Sequence, residues 1–195
     1  MSVIVMCLER LKFLGVALLA ASVLGCDGLS VSNNPPDASL KVVIIRHAEK
    51  SKDGDNLSCQ GQNRATQLAS VLYQKINKPD FTYVPALKLD KATKHSRMFQ
   101  TVTPFAVKYD LTINSKYAVD DYDDIAKSVL KKSGTVLMVW SHSEMADLVS
   151  ALGVDDAPTW DDADFDGIWT ITYPDGKAVL TIDTEGLSPQ QNCSF

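Results

Sequence analysis

Apolar residues in this chain come in two rhythms. Short continuous runs rich in Val and Ile occupy residues 41–45 (Lys-Val-Val-Ile-Ile) and 135–140 (Thr-Val-Leu-Met-Val-Trp), as strands buried on both faces require. Between them the period lengthens. Residues 61–76 place Ala65, Leu68, Ala69, Leu72 and Ile76 at helical spacing. Residues 96–109 predict a second helix, in which Pro104 marks a kink or a first turn. Residues 122–131 and 144–152 predict two more helices, and 81–87 and 111–119 two further strands. Residues 168–173 and 178–183 alternate around Pro174-Asp175-Gly176, a hairpin signal. Alternating strand and helix predicts an α/β domain, a three-layer αβα sandwich with a mostly parallel central sheet. In such sheets reactive residues lie just past the carboxyl ends of the strands.

The first 25 residues follow a different pattern. Arg10 and Lys12 precede an apolar stretch whose uncharged core, residues 13–24, is shorter than the roughly 20 residues that span a bilayer. It reads as a secretory signal. Its end, Ser22-Val23-Leu24-Gly25-Cys26, resembles the bacterial lipoprotein cleavage box, with Cys26 as the lipidated residue. The expected organisation is therefore a lipoprotein signal peptide over 1–25, a flexible proline-containing tether over 26–39 and one domain over 40–195. The expected location is the periplasmic face of a bacterial membrane, lipid-anchored, with inner and outer membrane both open. The alternative is an ordinary cleaved signal in which Cys26 is incidental.

Composition narrows the classes. The 195 residues carry a formal charge of −5, so no global basic field exists for nucleic acid. Four cysteines are too few for a disulfide-stapled scaffold, and no C-x-x-C pair suggests a metal cage. Once Cys7 leaves with the signal and Cys26 takes a lipid, Cys59 and Cys193 remain as an even pair in an oxidising compartment, a candidate disulfide.

Chemistry gathers at the strand ends. Arg46-His47-Ala48-Glu49 follows the first strand, and Ser141-His142-Ser143-Glu144 follows the 135–140 strand. Thr93-Lys94-His95-Ser96-Arg97 opens the helix between them. Two arginines and two histidines suit a phosphoryl group: guanidinium forks match its oxygens, a helix N-terminus adds N–H donors, and histidine can act as nucleophile.

These residues carry a resemblance. Arg46-His47 followed by Leu57-Ser58…Gly61…Arg64-Ala65 looks like the opening of the histidine phosphatase superfamily, which includes the cofactor-dependent phosphoglycerate mutases. Arg97-x-x-Gln100-Thr101 is similar to its second arginine motif, with Thr93 in place of the usual serine. Trp140-Ser141-His142 resembles its late histidine, and Asp164-Phe165-Asp166-Gly167-Ile168-Trp169 a segment of its small bacterial members. The resemblance implies a phosphoglycerate mutase-like fold and a phosphomonoester hydrolase with His47 as the phosphorylated nucleophile. Arg46, Arg97 and His142 would bind the phosphate, with no metal or other cofactor. Partners would be a small phosphorylated substrate and, through Cys26, a membrane. Ala48 stands where glycine is commonest. The glutamate that many members place after the second arginine is missing from residues 118–124, so the proton donor is expected at Asp120, with Asp121 and Glu144 as rivals. Only 44 residues separate Arg97 from His142, which leaves little room for a lid and favours hydrolysis over mutase chemistry.

Other residues have plainer readings. His95 reads as an exposed or helix-capping residue. The acids at Asp155, Asp156, Asp161, Asp162 and Asp164 lack the loop spacing of a calcium site. Ser141 and Ser143 lack a nucleophile elbow. A non-catalytic phosphate- or sugar-phosphate-binding lipoprotein on the same fold remains the alternative function.

Overall fold

Strand β1 (Lys41–Arg46) is the centre of the molecule. Its Val42, Val43, Ile44 and Ile45 are wholly buried, because alternate side chains enter two different cores. The computed structural model describes residues 34–87, 95–193 and 195. The elements after β1 are α1 (Cys59–Ile76), β2 (Phe81–Tyr83), α2 (Ser96–Tyr109), β3 (Ile113–Asn114), α3 (Tyr122–Val129), β4 (Thr135–Trp140), α4 (Met145–Ala151), β5 (Gly167–Thr172) and β6 (Val179–Thr184).

The sheet order is β3-β2-β4-β1-β5-β6. β1 to β4 run parallel, while β5 and β6 are antiparallel to their neighbours. One face packs against α1 and α2, where Leu68, Leu72, Met98, Val102 and Phe105 meet Val43, Ile45, Leu137 and Val139. The other packs against α3 and α4, where Ile125, Val129, Leu148 and Val149 meet Val42, Ile44, Val136, Met138 and Trp140. This is the three-layer αβα sandwich that the alternating pattern predicts. Each fully buried Val, Leu or Ile contributes about 1.5–3 kcal/mol, so both sheet faces must be covered at once.

Local signals set most element ends. Ser58 caps α1, its hydroxyl accepting from the Gly61 N–H at 3.1 Å. Gly134 (φ +78°) makes the turn into β4, and the Asp80 carboxylate accepts from the Thr135 N–H at 2.8 Å. The strand lengths are corrected. The strands foreseen over 81–87 and 111–119 shrink to three and two residues, β2 and β3; β3 is the edge strand and pairs with β2 over only two residues. Pro104 is inside α2 rather than in its first turn. The hairpin turn at Pro174–Gly176 is a short 3-10 turn with Asp175 at φ 54°.

Residues 1–33, which hold the expected signal, Cys26 and most of the tether, lie outside the described residues. At residues 34–39, which are mostly exposed, Asp37 accepts from the backbone and hydroxyl of Ser39, and Pro35 sits beside Gly176. Among the described residues no helix is long and apolar enough to cross a membrane.

A disulfide joins Cys59, the first residue of α1, to Cys193 across 134 residues of sequence. Closing so long a loop restricts the unfolded chain strongly. Reduction, or the Cys193→Ser variant, is expected to lower unfolding free energy by about 2–5 kcal/mol, read by denaturant unfolding with and without reductant; an unchanged midpoint would show that the bond adds nothing.

Candidate active site

The parallel pairing of β1 with β4 puts Arg46 opposite Trp140, and the His47 N–H donates to the Trp140 carbonyl at 3.1 Å. Both strands end there, so His47 and His142 emerge side by side, with ring centroids 6.4 Å apart and nearly perpendicular planes. His47 is buried. Its Nδ1 lies 2.8 Å from the Ala48 carbonyl, which accepts a hydrogen bond only if Nδ1 carries the proton. That tautomer leaves the Nε2 lone pair as the reactive one.

Burial, followed by the charges of Arg97, Arg46 and His142, pushes the His47 imidazole down to about 3, against the raising effect of the Ala48 hydrogen bond. A neutral imidazole is what a nucleophile requires. His142 is also lowered, first by burial and then by Arg46, while Asp162 opposes the shift. Its Nε2 is 3.1 Å from an Asp162 carboxylate oxygen.

The arginines are held by backbone carbonyls. Arg46 donates to the carbonyls of Asp162 at 2.7 Å and Asp164 at 3.0 Å, and its guanidinium lies 3.8 Å above the Phe165 ring. Arg97 donates to the Asp55 carbonyl at 3.2 Å. Burial lowers both, Arg46 to about 10, and both remain cations at neutral pH. Three buried polar atoms find no partner among the described residues and belong to this group: Arg46 Nε, Arg97 Nε and His142 Nδ1. Unpartnered buried donors cost stability unless a ligand meets them.

The loop after His47 is pinned to α2. The Ala48 N–H donates to Thr101 Oγ1 at 2.9 Å, and the Leu57 N–H to Gln100 Oε1 at 2.9 Å. The Arg97-x-x-Gln100-Thr101 motif is therefore one arginine facing the site and two anchors for the histidine loop. Thr93 lies outside the described residues.

A cleft of about 310 Å³ is lined by His95, Arg97, Met98, Val119, Ser141, Ser143 and Glu144. Glu144 is half-buried; one carboxylate oxygen accepts from Ser143 Oγ at 2.9 Å and the other from the Tyr122 hydroxyl. Asp120 and Asp121 are exposed and line a different depression with Asp123 and Asp124. The Asp121 carboxylate accepts from the Ala118 N–H at 3.0 Å. His95 departs from expectation: it is buried, makes no capping bond, and directs Nδ1 to the Ala86 carbonyl at 3.2 Å. The acids at 161–164 are occupied in folding their own loop, since Asp161 accepts from Ala163 N–H and Asp164 from the N–H groups of Asp166 and Gly167. Sequence reasoning missed the roles of Asp162 and Phe165, which only the fold brings to His142 and Arg46.

No family model matches the chain, and no curated protein matches it by sequence. Solved structures do share its fold. The protein histidine phosphatase SixA complexed with tungstate aligns with TM-score 0.55 at 15% identity, over 74% of this chain and 97% of that one. A candidate phosphohistidine phosphatase SixA from Agrobacterium tumefaciens aligns with TM-score 0.51 at 17% identity, over 76% and 97%. A mycobacterial glucosyl-3-phosphoglycerate phosphatase with inorganic phosphate aligns with TM-score 0.51 at 13% identity, over 76% and 99%. The chain thus has the phosphoglycerate mutase-like fold of the histidine phosphatases.

A histidine with a depressed folded value binds fewer protons folded than unfolded. Its contribution to stability is complete above the unfolded value near 6.5 and is lost as pH falls towards about 3. Wild-type protein is expected to lose up to about 1.4 kcal/mol per pH unit on this account below pH 6. His47→Gln should have a visibly shallower acid limb in denaturant titrations; identical limbs would mean that His47 titrates normally.

Proposed function

We propose that this protein is a metal-independent phosphomonoester hydrolase that works through a phosphohistidine on His47. The observation that carries the reading is the convergence of Arg46, Arg97 and His142, each with a buried, unpartnered nitrogen, on a neutral buried histidine. An anion with several oxygens satisfies all three, and a phosphoryl group offers them in the geometry that guanidinium groups match.

The chemistry follows from these residues. His47 Nε2 attacks phosphorus while the P–O bond to the leaving group breaks. Arg46, Arg97 and His142 hold the equatorial oxygens and spread the charge that develops there. Glu144 supplies the proton to the departing oxygen, a choice supported by its place in the cleft beside Arg97 and by the two donors that orient its carboxylate. Water then attacks the phosphohistidine, Glu144 takes its proton, and inorganic phosphate leaves with His47 restored. The Ala48 carbonyl, already bonded to Nδ1, stabilises the positive ring of the intermediate.

The same proposal places the protein outside the cytoplasm on a lipid at Cys26, where a scavenged or envelope phosphomonoester would be its substrate; the N-terminal pattern supports this.

Hydrolysis of an aryl phosphate by the purified protein should survive EDTA and vanish in His47→Ala. Glu144→Gln should lower kcat about 10²–10⁴-fold, with Asp120→Asn within a few-fold of wild type; the reverse order would move the donor to Asp120. Phosphate binding without turnover in wild type would make the protein a binder. Mass spectrometry of acid-labile label on His47 separates the covalent route from direct attack by water.

A further inference from the structure

Beside the site lies a third arginine whose surroundings are the opposite of the first two. Arg64, on α1, is buried and meets three carboxylates. Its Nε and Nη2 grip Glu49 at 2.9–3.1 Å, and its Nη1 reaches Asp166 at 3.0 Å and Glu185 at 2.6 Å. Nothing in the mechanism above uses any of the four.

Their positions in the chain give them a purpose. Glu49 is two residues after His47, and Asp166 directly follows Phe165, the ring beneath the Arg46 guanidinium. The backbone near Glu49 is gripped as well: Ser58 donates its N–H and hydroxyl to the Glu49 carbonyl, and a Cβ at Gly61 would stand 2.1 Å from that same oxygen. Asp166 accepts from the Gly186 and Leu187 N–H groups, and its carbonyl takes the Glu185 N–H. One guanidinium therefore ties together the His47 loop, the loop that cradles Arg46 and the C-terminal strap closed by the disulfide.

We propose that Arg64 is a positioning residue of the phosphoryl-transfer site, holding through Glu49 and Asp166 the loops that carry His47 and seat Arg46 at the spacing the reaction needs. The inference rests on the hydrolase reading. Its reach is large because a misplacement of about 1 Å costs roughly 10²-fold in rate.

The groups facing Glu185 are Arg64, Asp166 and Glu49. Three ionised carboxylates around one buried cation would leave net negative charge in a low-dielectric place. Burial pushes Glu185 up to about 8, with Arg64 opposing and the other two acids adding to the shift. Its proton is lost as pH rises through that value, and the added charge loosens the clamp on the alkaline side.

The test measures kcat for an aryl phosphate, thermal unfolding, and the ¹⁵N imidazole signals of His47, assigned with His47→Gln. Folded Arg64→Met is expected to lose about 100-fold in kcat and to shift the His47 signals. Arg64→Lys, which keeps the charge without the fork, should recover part of both. In wild type the His47 signals should move between pH 7 and 9, and Glu185→Gln should abolish that movement. Folded Arg64→Met with kcat within 3-fold of wild type and unmoved signals would overturn the proposal. If Arg64→Met does not fold, Glu49→Gln and Asp166→Asn, each of which breaks one arm of the clamp, take its place: kcat within 3-fold of wild type and unmoved His47 signals in both overturn it. Wild type that hydrolyses nothing, while its His47 signals still respond to Arg64→Met and to pH, would sink the hydrolase reading and leave the positioning role standing.

Discussion

The pairing of β1 with β4 is the constraint on which the rest depends. Because both strands are central and parallel, both bury every side chain after their first residue and both end at the same level of the sheet. The chain must leave each strand there, and at each exit it carries a histidine. One main-chain hydrogen bond, from His47 to Trp140, fixes the level. A register slip of one residue would turn the apolar set over and separate the two imidazoles, so packing energy and site geometry are held by the same contacts.

Charge is then distributed according to what each arginine has to do. Arg46 and Arg97 donate to carbonyl oxygens, which orient a guanidinium through dipoles, while the charges of Asp162 and Asp164 act on Arg46 and that of Asp55 on Arg97. Arg64 is surrounded by carboxylates, which consume its charge and convert it into a rivet. His47 is held neutral first by burial and then by the charges of Arg97 and Arg46.

Much of this was legible in the chain. The buried strands, the four helices, the hairpin and the order of the Arg46-His47, Arg97 and His142 motifs rest on patterns within a dozen residues, where periodicity, caps and strand ends act locally. The strands at 81–87 and 111–119 are shorter than their patterns predict because strand length depends on neighbours that sequence does not display. The placing of Glu144 in the cleft beside Arg97, with Asp120 on the outside, was open for the same reason: both are acids near helix starts, and only the fold says which wall they line.

Sequence by itself determined the layers of the sandwich, the nucleophile candidate and the chemistry of its neighbours, because hydrophobic period and strand-end position are short-range properties. Tertiary structure alone decided that Phe165 lies under Arg46, that Asp162 faces His142, that His95 is buried, and that residues 49, 64, 166 and 185 meet at one point. Those contacts join segments separated by up to 121 positions in the chain. Their energy comes from burial and from the mutual neutralisation of charges, and both exist only after the sheet has closed the distance.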